Sequence, residues 1–326
     1  MSHSQINKSN EKNIKYFWVS KNLELNRLDK ILNILLPNYS RSKLQILIKS
    51  GYIFLNNKQV KPSEIVKLND VISILPHQDF NEDNSFIPEK IDINVIYSNN
   101  NFIIINKPAG LVTHPGAGNW HGTLMNALLF HFPELCSLPR AGIVHRLDRD
   151  TSGLMVIARN ELSQNNLSKQ LQLRTVKREY IAIVSGHLLK SGTIKLPIGR
   201  DRVNRIKMTT NLKHLRSFKE AITHYEVISV GEMDKKNISK IICKLETGRT
   251  HQIRVHMSSI NHPILGDSTY GPANSNNLQN IKRQMLHAYY LEFLDPSNSS
   301  NNKYNFKIDL PKDMLLLEKS ILWNNF

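Results

Sequence analysis

Cysteine is nearly missing from this 326-residue chain: Cys136 and Cys243 lie far apart and outside any CxxC spacing. A disulfide framework and a thiolate metal site are therefore not expected, and a reducing compartment, the cytoplasm, fits. No apolar run comes near the ~20 residues that a membrane span needs. The amino-terminal MSHSQINKSNEKNIKY also lacks the apolar stretch and small-residue cleavage site of a secretory signal. Acids are scarce: 27 Asp and Glu stand against 43 Lys and Arg, a formal net charge of +16. Such a surplus attracts polyanions and makes nucleic acid the leading partner class. Metal and nucleotide signatures are wanting too. The histidines include no HExxH, and His251 and His256 are spaced off a common helical face. Gly116 and Gly118 of HPGAGN lead into no GxGxxG or Walker lysine pattern. No metal and no nucleotide cofactor are expected.

What is present suffices for a substantial core and a satellite, since 40% of the residues are apolar and the length exceeds a typical domain. Residues 1–16 are polar and without periodicity and are expected to form a tail. In 17–76, Leu28, Ile31, Leu32, Leu35 and Leu36 recur at helical spacing until Pro37. Ser40 then caps a second helix carrying Leu44, Leu47 and Ile48 and ending at Gly51. Asn56-Asn57 marks a hairpin-like turn, and VISIL reads as a strand. Residues 77–90, HQDFNEDNSFIPEK, have no apolar face and read as a linker. The body, 91–326, holds strand-like runs such as NFIIINKP, TSGLMVIAR, REYIAIVSG, ITHYEVISV and ISKIICKLE. The stretches GTLMNALLFHF and QNNLSKQLQL between them are helix-like. Irregular spacing of strands and helices favours an α+β body on a mixed, largely antiparallel sheet over a βαβ succession.

The most informative stretch is GIVHRLDRDTSGLMVIAR, residues 142–159, in which His145, Arg146, Asp148, Arg149 and Asp150 sit between two apolar runs. Buried flanks would aim these charges at a common cleft, although the pattern alone suits an exposed charged hairpin equally well. Here the chain resembles the RluA-type pseudouridine synthases, whose signature HRLDxxTSG stands intact as His145 to Gly153. KREYIAIVSG around Tyr180, LETGRTHQIRVHM from Leu245 to Met257, and NKPAGLVTHPG follow the same family. The resemblance implies a cofactor-free isomerisation in RNA. Its roles would fall to Asp148 as the carboxylate, Arg254 as the charge beside it, Tyr180 as the aromatic near the target uracil, and Arg146 as the side chain filling the gap left by the flipped nucleotide. His145 is expected to shape the loop.

NRLDKILNILLPNYSRSKLQILIKSGYIFLNNKQV resembles an S4 RNA-binding domain. Arg27, Lys30, Arg41, Ser42, Lys43 and Lys49 are its candidate backbone contacts. THPGAGNWHGTLMNALLFHFPEL followed by PRAGIVHRLDRDTSGLMV is most similar to the D-type branch, which acts on the helix 69 stem-loop of large-subunit ribosomal RNA. The C-type branch and a non-catalytic assembly factor are the alternatives. The expected partner is ribosomal RNA, free or in a precursor particle, and a monomer is expected.

Overall fold

The computed structural model describes residues 14–21, 23–36, 39, 41–75, 87–116, 120–204, 206–271, 281–297 and 302–324. Residues 1–13 of the expected tail, 77–86 of the expected linker, and Pro37 and Ser40 lie outside them. The chain divides into two compact units, Met1–Ser85 and Phe86–Phe326.

In the first unit, strand β1 (Lys15–Trp18) begins within the stretch expected to be a tail and is followed by helices α1 (Leu28–Leu35) and α2 (Arg41–Lys49). Strands β2 (Ile53–Leu55) and β3 (Val71–Ile74) complete a three-stranded antiparallel sheet in the order β1-β3-β2. Leu28, Ile31 and Leu32 of α1 meet Leu44, Leu47 and Ile48 of α2 and Ile53, Ile72 and Ile74 of the sheet in one buried cluster. Each such side chain contributes roughly 1.5–3 kcal/mol when fully buried. Asn56 and Asn57 both have positive φ, 50° and 61°, the conformation of a tight hairpin turn.

The second unit runs β4 (Asn94–Ser98), β5 (Phe102–Lys107), α3 (Leu124–His131), β6 (Ser152–Ala158), α4 (Glu161–Gln172) and β7 (Lys177–Ser185). It continues with β8 (Gly192–Lys195), β9 (Ile198–Asp201), β10 (Met208–Thr209), β11 (Leu215–Lys219), β12 (Ile222–Met233), β13 (Lys236–Leu245) and α5 (Gln252–Ser259). β14 (Leu286–Leu294), β15 (Lys303–Lys307), α6 (Lys312–Ser320) and β16 (Leu322–Asn324) close it. Ten strands form one sheet with the path β16-β12-β13-β7-β14-β6-β5-β4, while β15 pairs with β14 and β8 with β12. The fold is thus α+β with a mixed, largely antiparallel sheet, as the strand spacing leads one to expect; β14 pairs with β6 in parallel.

Both faces of this sheet are covered, which explains why NFIIINKP is an unbroken apolar run rather than an alternating one. Ile103 and Ile105 of β5, with Met155 and Ile157 of β6, face Leu124 and Leu128 of α3. Phe102 and Ile104, with Leu154 and Val156, face Leu167 of α4 and the rings of Phe293, Tyr304 and Phe306. Thr123 caps α3 reciprocally with Asn126, its hydroxyl accepting from the Asn126 amide and its own amide donating to Asn126 Oδ1.

Candidate active site

The segment from Ile143 to Ser152 enters β6 and is held from both ends. Ile143 bridges to Ile157, and Leu147 is buried in the core shared with α3. Four consecutive carbonyls of this loop, Leu147 to Asp150, are each held by a hydrogen bond. Thr113 Oγ1 donates to Leu147 O (2.8 Å), the Thr151 amide to Asp148 O (3.1 Å), Lys107 Nζ and the Gly110 amide to Arg149 O (2.9 Å each), and Arg283 Nη1 to Asp150 O (3.1 Å). Lys107 is fully buried and gives its other bonds to the carbonyls of Pro108 (2.7 Å) and Leu111 (2.9 Å). Burial pulls its pKa down to about 7, with Asp150 and Asp148 acting the other way. The loop is therefore held through its main chain, independently of the Asp148 side chain.

Gly153, directly after this loop, has φ +122°, and a Cβ there would stand 2.3 Å from the Ala288 carbonyl oxygen of β14. Gly153→Ala is expected to cost about 3 kcal/mol through strained backbone and overpacking, read as a lower urea midpoint with loss of activity.

Asp148, though half-buried, accepts from Arg254 Nη1 at 3.0 Å. Arg254 projects from α5, whose first residues are stapled down by Gln252. Gln252 Oε1 accepts from the Thr247 hydroxyl and the Arg249 amide, and its Nε2 donates to Ile222 O and Thr223 Oγ1. The two-point fork of Arg254 does not go to Asp148. Its Nε (2.7 Å) and Nη2 (2.8 Å) go to the fully buried Asp267, which also accepts from the Thr269 and Tyr270 amides. Arg254 sits beside Asp148, but a second carboxylate aims the guanidinium and presents its Nη1 to the first. Burial opposes the charge on Arg254, yet the bonds to Asp267 and the charges of Asp267 and Asp148 raise its pKa above the ordinary guanidinium value. Burial likewise pushes Asp267 up, and Arg254 with the two amides outweighs it, so its pKa lies below the usual carboxylate range.

Tyr270 lies under this cluster, its ring 5.1 Å from the Arg254 guanidinium carbon. Its hydroxyl is 2.8 Å from both the Met208 amide, from which it accepts, and His251 Nδ1. His251, at the start of α5 with φ 57°, has Nε2 4.0 Å from Asp148 Oδ2. Burial lowers its pKa, and Asp148 acts in the opposite sense. Tyr180 lies in the middle of β7 between Cys243 of β13 and Ala288 of β14 and is buried. Burial raises the pKa of its hydroxyl, Arg178 lowers it and Asp148 raises it.

Histidines around the site are kept neutral. His145 Nε2 accepts from the Val156 amide (3.1 Å), and burial takes its pKa down to about 3. Burial also takes His114 and His287 down to about 4 each. An unfolded chain would protonate all three near pH 6.5. Between pH 6.5 and about 4 the unfolded state therefore binds more protons, and stability falls as pH falls. The expected slope is on the order of 1 kcal/mol per pH unit for each histidine. Urea unfolding from pH 7 to 4.5 checks this, and His287→Gln should flatten the curve by its share.

Asp148, Tyr180 and Arg254, far apart in sequence, are thus brought to one place. Arg146 is exposed beside them. In the first unit, Arg27 and Arg41 both clasp the fully buried Asp29, joined by Gln45 Nε2 at 2.6 Å. Burial raises the Asp29 pKa, and the bonds from Arg27, Gln45 and Arg41 bring it down to about 2. Two guanidinium groups on one carboxylate leave a positive, half-exposed cluster, and Lys30 and Lys49 are exposed on α1 and α2. The side chains of Ser42 and Lys43 lie outside the described residues. Sequence reasoning missed Asp29, Lys107, Thr113, Asp267 and Arg283. For Lys107 and Thr113 the signal was their place within NKPAGLVTHPG, while nothing local marks Asp267 or Arg283.

The mixed sheet that carries Tyr180, with the loop carboxylate Asp148 bonded to the helical Arg254, is a fold shared with a known RNA pseudouridylate synthase domain. The solved structure of human RNA pseudouridylate synthase domain containing 1 superposes with a TM-score of 0.57 at 26% identity, covering 73% of this chain and 91% of that one. The family model described as RNA pseudouridylate synthase matches residues 101–259, and the S4 domain model matches 26–72. A Neisseria meningitidis serogroup A protein named ribosomal large subunit pseudouridine synthase D is 45% identical over 88% of this chain and 76% of its own length. A Nitrosomonas europaea protein of the same name is 43% identical over 93% and 86%. The chain belongs to the RNA pseudouridylate synthase family and carries an S4 domain.

Proposed function

We propose that this pseudouridine synthase modifies large-subunit ribosomal RNA, at uridines of the helix 69 stem-loop, with Asp148 as the essential carboxylate. The target is supported by relatives named ribosomal large subunit pseudouridine synthase D that match nearly the whole chain. The observation that carries the chemistry is the 3.0 Å contact of Asp148 with an arginine that is itself pinned by Asp267.

The reaction breaks the N-glycosidic bond, turns the uracil and joins it back through carbon, with no net redox change and no hydrolysis. Asp148 serves as nucleophile at the sugar or as the base that promotes elimination. Arg254 orients it by one charge-assisted bond, leaving the rest of the carboxylate for the substrate. A uridine stacked in RNA must first be extruded at a cost of roughly a few kcal/mol. Arg146, exposed on the same loop, enters the gap, and the ring of Tyr180 supports the everted base. In the S4 domain, Arg27, Lys30, Arg41, Ser42, Lys43 and Lys49 bind phosphates, holding the RNA without reading its sequence. The enzyme works in the cytoplasm as a monomer, on ribosomal RNA or its precursor particle.

Pseudouridine mapping of ribosomal RNA from cells lacking the protein tests the target. Helix 69 should lose its pseudouridines and regain them with the intact gene but not with Asp148→Asn. Losses confined to other large-subunit sites would point to the C-type target instead.

A further inference from the structure

Arg178 lies two residues before Tyr180 on β7, and both are buried, at 8% and 6% exposure. Positions i and i+2 of a strand share a face, so the guanidinium leaves the same side of the sheet as the Tyr180 ring. No carboxylate is within ion-pair distance of it among the described residues, and burial lowers its pKa, with the Tyr180 hydroxyl acting the other way. Its Nε is buried without a hydrogen-bond partner. Nη2 reaches the Glu246 carbonyl only at 3.5 Å, and Nη1 has no partner among the described residues. Nη1 stands 2.6 Å from where a Cβ on Gly248 would be, so that position in the loop before α5 admits glycine alone without displacing the arginine. On the other side the charge of Arg178 is felt by His145 of the loop that carries Asp148.

An arginine in such a place is costly unless something negative meets it, because a buried cation without a counter-charge loses several kcal/mol of solvation. One long bond to a carbonyl does not make that good. A guanidinium fork matches two oxygens of a phosphodiester. We infer that Arg178 is a subsite for one backbone phosphate of the RNA segment bearing the target uridine, the linkage directly 5′ or 3′ to it. The inference rests on the reading of Asp148 and Tyr180 as the place where the everted nucleotide sits. Nη1, packed against Gly248 and without a partner among the described residues, and Nη2, held only by the 3.5 Å carbonyl contact, are the donors offered to that phosphate.

The test uses the full-length chain and a short RNA stem-loop carrying the target uridine, with a single uncharged methylphosphonate at either linkage flanking it. Arg178→Met should lower kcat/KM about 10- to 100-fold, the worth of a hydrogen bond to a charged group, chiefly through KM. It should also lessen the slope of log(kcat/KM) against log[salt] by about 0.7, the share of one phosphate on a single strand. A methylphosphonate at one linkage should cost the unaltered enzyme a similar factor and cost Arg178→Met nothing further. Losses that multiply at both linkages, or an unaltered enzyme indifferent to both, would overturn the phosphate subsite and leave Arg178 a structural support for the Glu246 carbonyl. Should Arg178→Met fail to fold, Arg178→Lys and the methylphosphonate scan on the unaltered enzyme decide the matter. Asp148→Asn is assayed in parallel on unmodified RNA. If it stays active the catalytic reading falls, and if it is dead while no linkage couples to Arg178 only the subsite falls.

Discussion

Asp148→Asn is expected to abolish pseudouridine formation while leaving RNA binding and fold in place. Asn has the same shape and keeps an acceptor for Arg254 Nη1, now 3.0 Å from Asp148 Oδ2. The loop itself does not depend on the side chain, because its four carbonyls are held by Thr113, Thr151, Lys107 with Gly110, and Arg283. What is lost is the negative charge proposed to act at the glycosidic bond. Removing a positioned acid or base costs on the order of 10²- to 10⁴-fold, and a covalent role would add to that, so turnover should fall to background. Release of label from 5-tritiated uridine in a stem-loop measures the first effect and fluorescence anisotropy the second. A variant retaining a tenth of normal turnover would remove Asp148 from the chemistry.

The largest stability effect is expected at Asp267 rather than at any residue of the HRLDxxTSG signature. Asp267 takes two N–H groups of Arg254, and its own side chain is fully buried. Asp267→Ala leaves the guanidinium buried with a single partner, and breaking a buried pair in this way costs about 3–5 kcal/mol. The freed fork would then be drawn to Asp148, replacing a one-point contact by a two-point one and covering the oxygens needed by the substrate. Both the urea midpoint and kcat should therefore drop, whereas a surface acid such as Glu220 changed to Ala should move neither. Asp267 also carries a signed pH effect. Its pKa lies below the usual carboxylate range, so its contribution is present above about pH 4 and is lost as pH falls through the folded value. Arg254→Lys should fail similarly, because an ammonium has no fork to divide between two carboxylates.

Much of this site was readable in the sequence because its parts lie in contiguous runs. The apolar flanks of His145–Gly153 foretold a loop ending in a strand, and β6 follows it at Ser152. Tyr180 sits in an apolar run that reads as a strand, and Arg254 in a motif whose neighbours named it. The unread parts are those fixed by long-range packing. LHAYYLEFL is the central strand β14, yet its neighbours β6 and β7 lie more than a hundred residues earlier, and no local pattern announces the pairing. Asp267 occupies an ordinary turn after Gly266, and only the fold shows that its carboxylate faces Arg254. Asp29 reads as a polar position on α1, and the phosphate-binding role expected of Arg27 and Arg41 gave no hint that both already lean on one buried acid. THQIRVHM was read for its charges, while its backbone turned out to be the short helix α5, started by a left-handed His251 and the side chain of Gln252.

The short parallel pairing of β14 with β6, His287 against Ser152 and Ala288 against Gly153, sets a timetable for the enzyme's birth. Every residue assigned to the chemistry has been polymerised by the time Arg254 is made, but the strand that fills the gap between β6 and β7 is still some thirty positions away. Arg283, which grips the Asp150 carbonyl, arrives just ahead of it. A nascent chain halted before Leu286 would carry Asp148, Tyr180 and Arg254 without the strand that joins β6 to β7, so competence to modify RNA is expected to arise late in synthesis, with a segment to which no chemistry is assigned.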